Sequence, residues 1–393
     1  MPNAATHTEN ASTDTDGVSL DPERQATARE YARIRRRWML VEVILTLAAM
    51  LLFWLTGLSR ALRDFWIAAG FTNPWALTAI YVLSLEVGAT ILALPLSWWT
   101  GYVLPHRYKL STQTVRGWLT DQAKSLGLEI AVGVPAVSII YWLLRTQPET
   151  WWIWGGGFMV ALSTLLGTLA PILLVPIFYK LEPLEDEALV RRIKELAEKT
   201  GTRIAEVSTI DLSSRTTTAN AMVMGLGATK RIALGDTLYE DYSTDEIEAI
   251  LAHELGHQVH RDLELGILVQ TVGTFAGFYL AHVVLKWGVD HFEFGGIADL
   301  AAIPLVALVG FLASLVTMPL LNAYSRWRER LADRYALSLI EKPTAFAHAM
   351  TRLSNQNLAE AEPPGWVVWL LYSHPPIQER VRRAMQAAGE AQD

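Results

Sequence analysis

The 393-residue chain has no cysteine. Disulfides, thiolate metal sites and cysteine nucleophiles are therefore excluded, and any metal must be held by histidine and carboxylate. Charge is scarce as well. Only 19% of the residues are Asp, Glu, Lys or Arg, while 51% are hydrophobic. A typical soluble chain carries about a quarter charged residues, so a string of soluble domains is excluded too. The net charge of −7 comes with no basic stripe, and nucleic acid is not an expected partner. A cleavable signal is also missing. The opening "MPNAATHTENASTDTDGVSLDPERQ" is polar, and the first apolar run begins only after "REYARIRRRW". Residues 1–37 read as a polar, largely disordered cytoplasmic tail.

What the chain has instead is apolar length. A bilayer crossing needs about 20 apolar residues. Six stretches supply it: 38–58, 77–104, 127–144, 151–179, 265–287 and 300–321. Residues 61–75 are too interrupted by charge and by Asn73-Pro74 to count. Trp38, Trp98, Trp99, Trp151, Trp152 and Trp287 mark run ends, as interfacial aromatic belts do. Arg24, Arg29, Arg33, Arg35, Arg36 and Arg37 precede the first run, and Arg107, Lys109, Arg116 and Lys124 follow the second, whereas 288–299 has neither Lys nor Arg. The positive-inside rule then puts both termini and residues 180–264 in the cytoplasm. Glu86 lies mid-run, where an ionisable group is expensive; it either lines a water-filled cavity or pairs with a neighbouring helix.

Between the fourth and fifth runs the pattern changes to soluble α/β. "EDEALVRRIKELAEKTG" has helical apolar spacing and stops at Gly201. "IAEVSTIDL" is β-rich, and "ANAMVMGLGATKRIALGDTL" reads as two strands joined by a glycine-containing turn. Ser243 with Glu246 opens a capping box. The helix it starts is expected to run to about Arg261 through "LAHELGHQVHRD". There His253 and His257 are i and i+4, so their imidazoles share one face, as two ligands of one small cation require. Glu254 is offset beside them, placed as a general base for a metal-activated water.

A catalytic zinc site needs a third protein ligand. Position 263 is Leu263, which excludes the third-histidine solution of the longer zinc motif, and His260 reads as a polar helix end. "NAYSRWRERLADRYA", residues 322–336, offers Glu329 and Asp333 on one helical face. Glu329 is a candidate ligand and Asp333 a candidate acceptor for a ligand histidine; the alternative for this stretch alone is a solvated face of alternating charge.

Taken together, these motifs resemble the type I CAAX prenyl protease family, integral-membrane zinc metallopeptidases of the gluzincin type. The resemblance is carried by 219–238, by "LAHELGHQVHRD", by "SRWRERLAD", which fits S-R-x-x-E-x-x-A-D, and by "YSHPPIQER", which fits S-H-P-P-x-x-x-R. It implies one Zn2+ per chain, held by His253, His257 and Glu329, with Asp333 behind them and Glu254 as catalytic base. It further implies that His374 or Arg380 stabilises the oxyanion, and that Asn220, Ala221 and Met222 hold an extended substrate as an added strand. The family commonly has seven spanning helices, and six are found here.

The expected fold is mainly α: a polytopic helical membrane protein with a small α/β zinc-peptidase domain on the cytoplasmic side. Its parts are the tail (1–37), four spans (38–179), the α/β domain (180–264), two spans (265–321) and C-terminal helices completing the site (322–393). The expected activity is zinc-dependent endopeptidase, with a peptide or protein substrate that is lipidated or membrane-associated, and with the lipid bilayer as a second partner. A heat-shock-type membrane quality-control protease and a non-catalytic zinc-binding scaffold are the alternatives.

Overall fold

The computed structural model describes residues 19–225 and 230–390. The membrane half is built from α1 (Pro22–Leu55), the short α2 (Leu58–Ala68), α3 (Pro74–Ser97), which continues through a π turn into α4 (Leu104–Arg107), α5 (Val115–Thr146), and α6 (Trp151–Leu169), which continues into α7 (Val175–Phe178). The soluble part follows with β1 (Leu181–Pro183), α8 (Glu187–Lys199), β2 (Glu206–Ile210), β3 (Ala221–Met224), β4 (Arg231–Gly235), α9 (Asp236–Tyr239) and α10 (Thr244–Val259). Then come α11 (Asp262–His291), α12 (Ile303–Leu339), α13 (Pro343–Gln356), α14 (Gly365–Leu371) and α15 (Ile377–Glu390).

Among the described residues six helices are long and apolar enough to cross a bilayer, and each of the six expected runs coincides with one of them, the first overrunning its helix by three residues and the fourth by one. The interrupted stretch 61–75 holds most of the 11-residue α2 and the start of α3. The membrane helices pack through small residues. At Gly155 a β-carbon would meet the Phe278 ring at 2.8 Å, so glycine is what lets α6 close on α11.

Two expectations need correction. Residues 22–37 are not disordered. They form the first half of α1, capped by Asp21 with Pro22 at the first position. Gln25, Ala28 and Tyr31 are buried there, packed near Leu110 and Leu358. Residues 1–18 lie outside the described ones. The boundary at 321/322 also dissolves: α12 is one 37-residue helix, about 55 Å long. It carries the sixth apolar run and "SRWRERLAD" as a single rod.

The sheet has order β1-β2-β4-β3, with β2 parallel to β4 and the other pairs antiparallel. β3 and β4 are the two expected strands; their connecting turn includes 226–229, outside the described residues. One core joins Ile193 and Leu196 of α8, Ile232 and Leu234 of β4, Leu251 and Leu255 of α10, and Phe346 of α13. This core holds α10 rigidly on the sheet.

Glu86 and Glu129 both line an open groove of about 300 Å³ between α3 and α5, with Thr90, Ser97, Gln122 and Ser125.

Candidate metal centre

The site begins with the capping box of α10. Ser243 N–H donates to the Glu246 carboxylate at 2.8 Å, and the Glu246 N–H donates to the Ser243 hydroxyl at 3.4 Å. The helix is buried on most of its circumference by Ile247, Ala249, Ile250, Leu251, Ala252 and Leu255. That fixes the facing of His253 and His257, whose rings meet edge-on with centroids 4.8 Å apart.

Glu329 arrives from α12, and the crossing works because of a glycine. At Gly256 a β-carbon would lie 3.1 Å from both Cα and the carbonyl oxygen of Ala332. The two backbones therefore approach beside His257 and about one turn from His253 and Glu329. His253 Nε2 lies 3.2 Å from His257 Nε2 and 3.3 Å from Glu329 Oε2, and His257 Nε2 lies 3.5 Å from Glu329 Oε1.

Each ring is backed by a carboxylate on its other nitrogen. His253 Nδ1 is 2.9 Å from Asp333 Oδ1, and His257 Nδ1 is 2.6 Å from Asp262 Oδ2. Such partners place the ring proton on Nδ1 and leave Nε2 as a bare lone pair. Once a cation replaces any Nε2 proton, two lone pairs and a buried carboxylate converge on one point, with Glu329 Oε2 3.3 Å from His253 Nε2. Ligands at 2.0–2.1 Å around a tetrahedral ion are separated by about 3.3–3.4 Å. The observed separations and donor chemistry fit a small divalent cation. Among the described residues, His253, His257 and Glu329 form the one such group.

Arg380 is buried, with its guanidinium on Asp333 (Nε to Oδ2, 3.0 Å; Nη2 to Oδ1, 2.6 Å) and 3.3 Å from His253 Nδ1. It therefore lies behind His253, on the side away from the converging Nε2 atoms. This corrects the expectation of Arg380 as an oxyanion donor. His374 stands on the open side. Its Nε2 is 3.3 Å from Glu329 Oε1 and its Nδ1 is 2.9 Å from the Ser373 hydroxyl.

With no metal bound, burial and the Arg380 charge oppose a proton on His253, but hydrogen bonds to Asp333 and Glu329 outweigh them and lift its pKa to about 9, so a cation must displace the Nε2 proton to bind. Burial raises the Glu254 carboxyl above its usual range, against the opposing charges of His253 and His257. Partial enclosure lowers the His374 pKa, with Glu329 opposing.

The strand residues sit close by. β3 packs beside α10 and pairs only with β4, so its other edge is unpaired among the described residues. Asn220 is exposed just ahead of the strand, its carbonyl accepting from Gly235 N–H at 2.8 Å. Ala221 is buried against the core and Met222 is half-buried. Asp262, Arg328 and the close approach at Gly256 were not anticipated. Only the glycine left a sequence signal, as a helix-interior residue of poor propensity.

The chain matches the sequence model of peptidase family M48 over residues 183–388 and that of the CAAX prenyl protease N-terminal segment, described as five membrane helices, over residues 6–180. It belongs to peptidase family M48. Within this family it is of the type I CAAX prenyl protease kind. It is 31% identical to an uncharacterised metalloprotease of Bacillus subtilis over 93% of this chain and 86% of that one. It is 28% identical to CAAX prenyl protease 1 of Saccharomyces cerevisiae over 92% and 86%. The crystal structure of Ste24p from S. mikatae superposes with a TM-score of 0.84 at 26% identity, covering 96% of this chain and 92% of that one.

The M48 assignment makes the chain an integral-membrane metallopeptidase acting on peptide or protein substrates. The N-terminal match favours the CAAX-type reading over the heat-shock-type alternative. Over residues 6–180 the described residues hold four candidate spans plus the short α2, against the five of the family description.

Proposed function

We propose that this M48 peptidase is a zinc endopeptidase in which His253, His257 and Glu329 hold the ion. The observation that carries this is the convergence of two imidazole Nε2 atoms and a buried carboxylate within 4.8 Å of one another. Bound there, zinc would lower the pKa of a water towards about 7 and polarise the scissile carbonyl. Glu254 takes the proton from that water and returns it to the leaving amine nitrogen. Its raised pKa brings it nearer the working range of a base. His374, on the open side of Glu329, donates its N–H to the developing oxyanion. Arg380 and Asp333 act only through His253, by holding its ring.

The unpaired edge of β3 takes the substrate as an added strand, with Ala221 supplying backbone partners; Asn220 and Met222, whose backbone faces β4, border the peptide with their side chains. Its place beside α10 sets the peptide across the metal site. Proteins carrying a lipid, or held at a membrane, are the substrate class, as the names of the CAAX prenyl protease relatives suggest. The bilayer is then the second partner. The Lys and Arg distribution supports a cytoplasmic site with both termini on that side.

Changing Glu254 to Gln should leave metal content at one ion per chain and reduce peptide cleavage by at least 100-fold. Cleavage at the wild-type rate by the metal-loaded variant would remove Glu254 from the mechanism.

A further inference from the structure

Asp262 and Arg328 take no part in the chemistry above, yet they touch it. α10 stops at Val259, Arg261 adopts left-handed backbone with φ 53°, and α11 starts at Asp262. In an unbroken helix Asp262, five residues past His257, would stand about 140° round the axis and miss the ring. The break at Arg261 returns its carboxylate to His257 Nδ1 at 2.6 Å. That backbone is disfavoured for a residue with a β-carbon, so something must hold it.

Arg328 does so from α12. Its Nε donates to Asp262 Oδ1 at 2.7 Å, and its Nη2 donates to the His260 carbonyl at 2.8 Å and to Asp262 Oδ1 as well. The side chain is mostly enclosed, with 11% exposed. One guanidinium thus caps the carbonyl end of α10 and orients the carboxylate behind His257. Arg328 lies one residue before Glu329 at an unspecified position of S-R-x-x-E-x-x-A-D. The His253 side has a parallel arrangement in Asp333 and Arg380. There Arg380 comes from α15, whereas Arg328 shares its helix with the ligand candidate Glu329.

We propose that Arg328 is a positioning residue for the metal site: it holds Asp262 on His257 Nδ1, aims His257 Nε2 at the ion, and so sets metal affinity from the helix that supplies Glu329. This rests on reading His253, His257 and Glu329 as the ligands.

The test uses full-length protein in detergent micelles. Zn2+ and Co2+ affinities are measured against a competing chelator, and the Co2+ absorption spectrum reports ligand geometry. R328A and D262N should each weaken affinity by about 10- to 100-fold and shift the Co2+ bands. R328K should recover part of the loss, because an ammonium can reach Asp262 but does not reproduce the fork that also binds the His260 carbonyl. The near-isosteric D262N keeps the test open if R328A does not fold.

Two further variants separate the outcomes. E329Q tests the ligand reading itself, and wild-type affinity in E329Q would overturn that reading. If E329Q loses metal while R328A and D262N keep wild-type affinity and spectrum, the ligands stand and the positioning role is wrong. R330A breaks a neighbouring α12 ion pair, Arg330 with Glu379 at 2.9 Å. A drop in R330A as large as in R328A would show that any lost bridge on α12 has this effect, and would also overturn the proposal.

Discussion

At the residue scale, behind His253 a guanidinium and a carboxylate are taken out of water together: Arg380 is 7% and Asp333 1% exposed. Such a pair is costly to desolvate, and removing one member leaves the other charge buried alone, a loss of about 3–5 kcal/mol. Arg380→Leu should therefore lower the apparent Tm strongly, even without metal, while exposed Arg203 changed to Leu should not. A melting curve for each settles it. His253 gives a pH signature. With its folded-state pKa lifted from 6.5 to about 9, the metal-free protein gains stability from its proton below pH 6.5 and loses that gain as pH rises through 9. The apparent Tm of metal-free wild type should thus fall between pH 6.5 and 9 relative to His253→Gln; parallel curves would contradict it. The i, i+4 spacing made the His253 and His257 pair legible from sequence, because one helix decides it. Arg380 could be placed near the site but not oriented, since its burial against Asp333 arises from how α15 meets α12. Asp262 was illegible: its reach depends on a left-handed residue, Arg261, that is neither glycine nor asparagine.

At the scale of the element, the close approach of α10 and α12 depends on a missing side chain. Gly256→Ala would place a methyl 3.1 Å from the Ala332 backbone, where neither helix can yield locally. We expect a loss of about 1–3 kcal/mol and weaker metal binding, because the helices part between His257 and Glu329. Thermal melts with a chelator-competition assay read both effects, and unchanged metal affinity would show that the spacing is not critical. The apolar runs announced the spans because each is close to bilayer length. The first half of α1 reads as a tail from its polar, arginine-rich composition, because no apolar run marks it. It is helical because its apolar side has a surface to cover near Leu358.

At the scale of the whole molecule, α1 is tied to the end of α13 and the loop after it, more than 300 residues away in sequence. The Gln25 amide donates to Ser354 Oγ at 3.0 Å and to the Ala359 carbonyl at 3.3 Å, while its oxygen accepts from Ala361 N–H at 3.1 Å. Arg36 pairs with buried Glu360 at 2.6 Å. This fastens the stem of the first span to the loop that leads into α14 and His374. Gln25→Ala would strand the Ala361 N–H and cost about 1–3 kcal/mol, and should increase protease nicking near 355–362, which limited proteolysis would detect. No change in either would mean the tie is not structural. Such long-range tying has no local sequence pattern, so it could not be read in advance.

The unbroken length of α12 has a mechanical corollary. A backbone-to-backbone clasp holds it at Ala332, three residues or about 4.5 Å from Glu329, whereas Ile303 is some 44 Å away along the same rod. Pinned there, α12 is a lever with its fulcrum almost under the carboxylate. When the lipid forces the far tip sideways by about 8 Å, as tilt responses to thickness allow, the short arm moves by less than about 1 Å, and any flex at Pro319 subtracts from that. The bilayer can breathe without prising the coordinating oxygen from its imidazole neighbours.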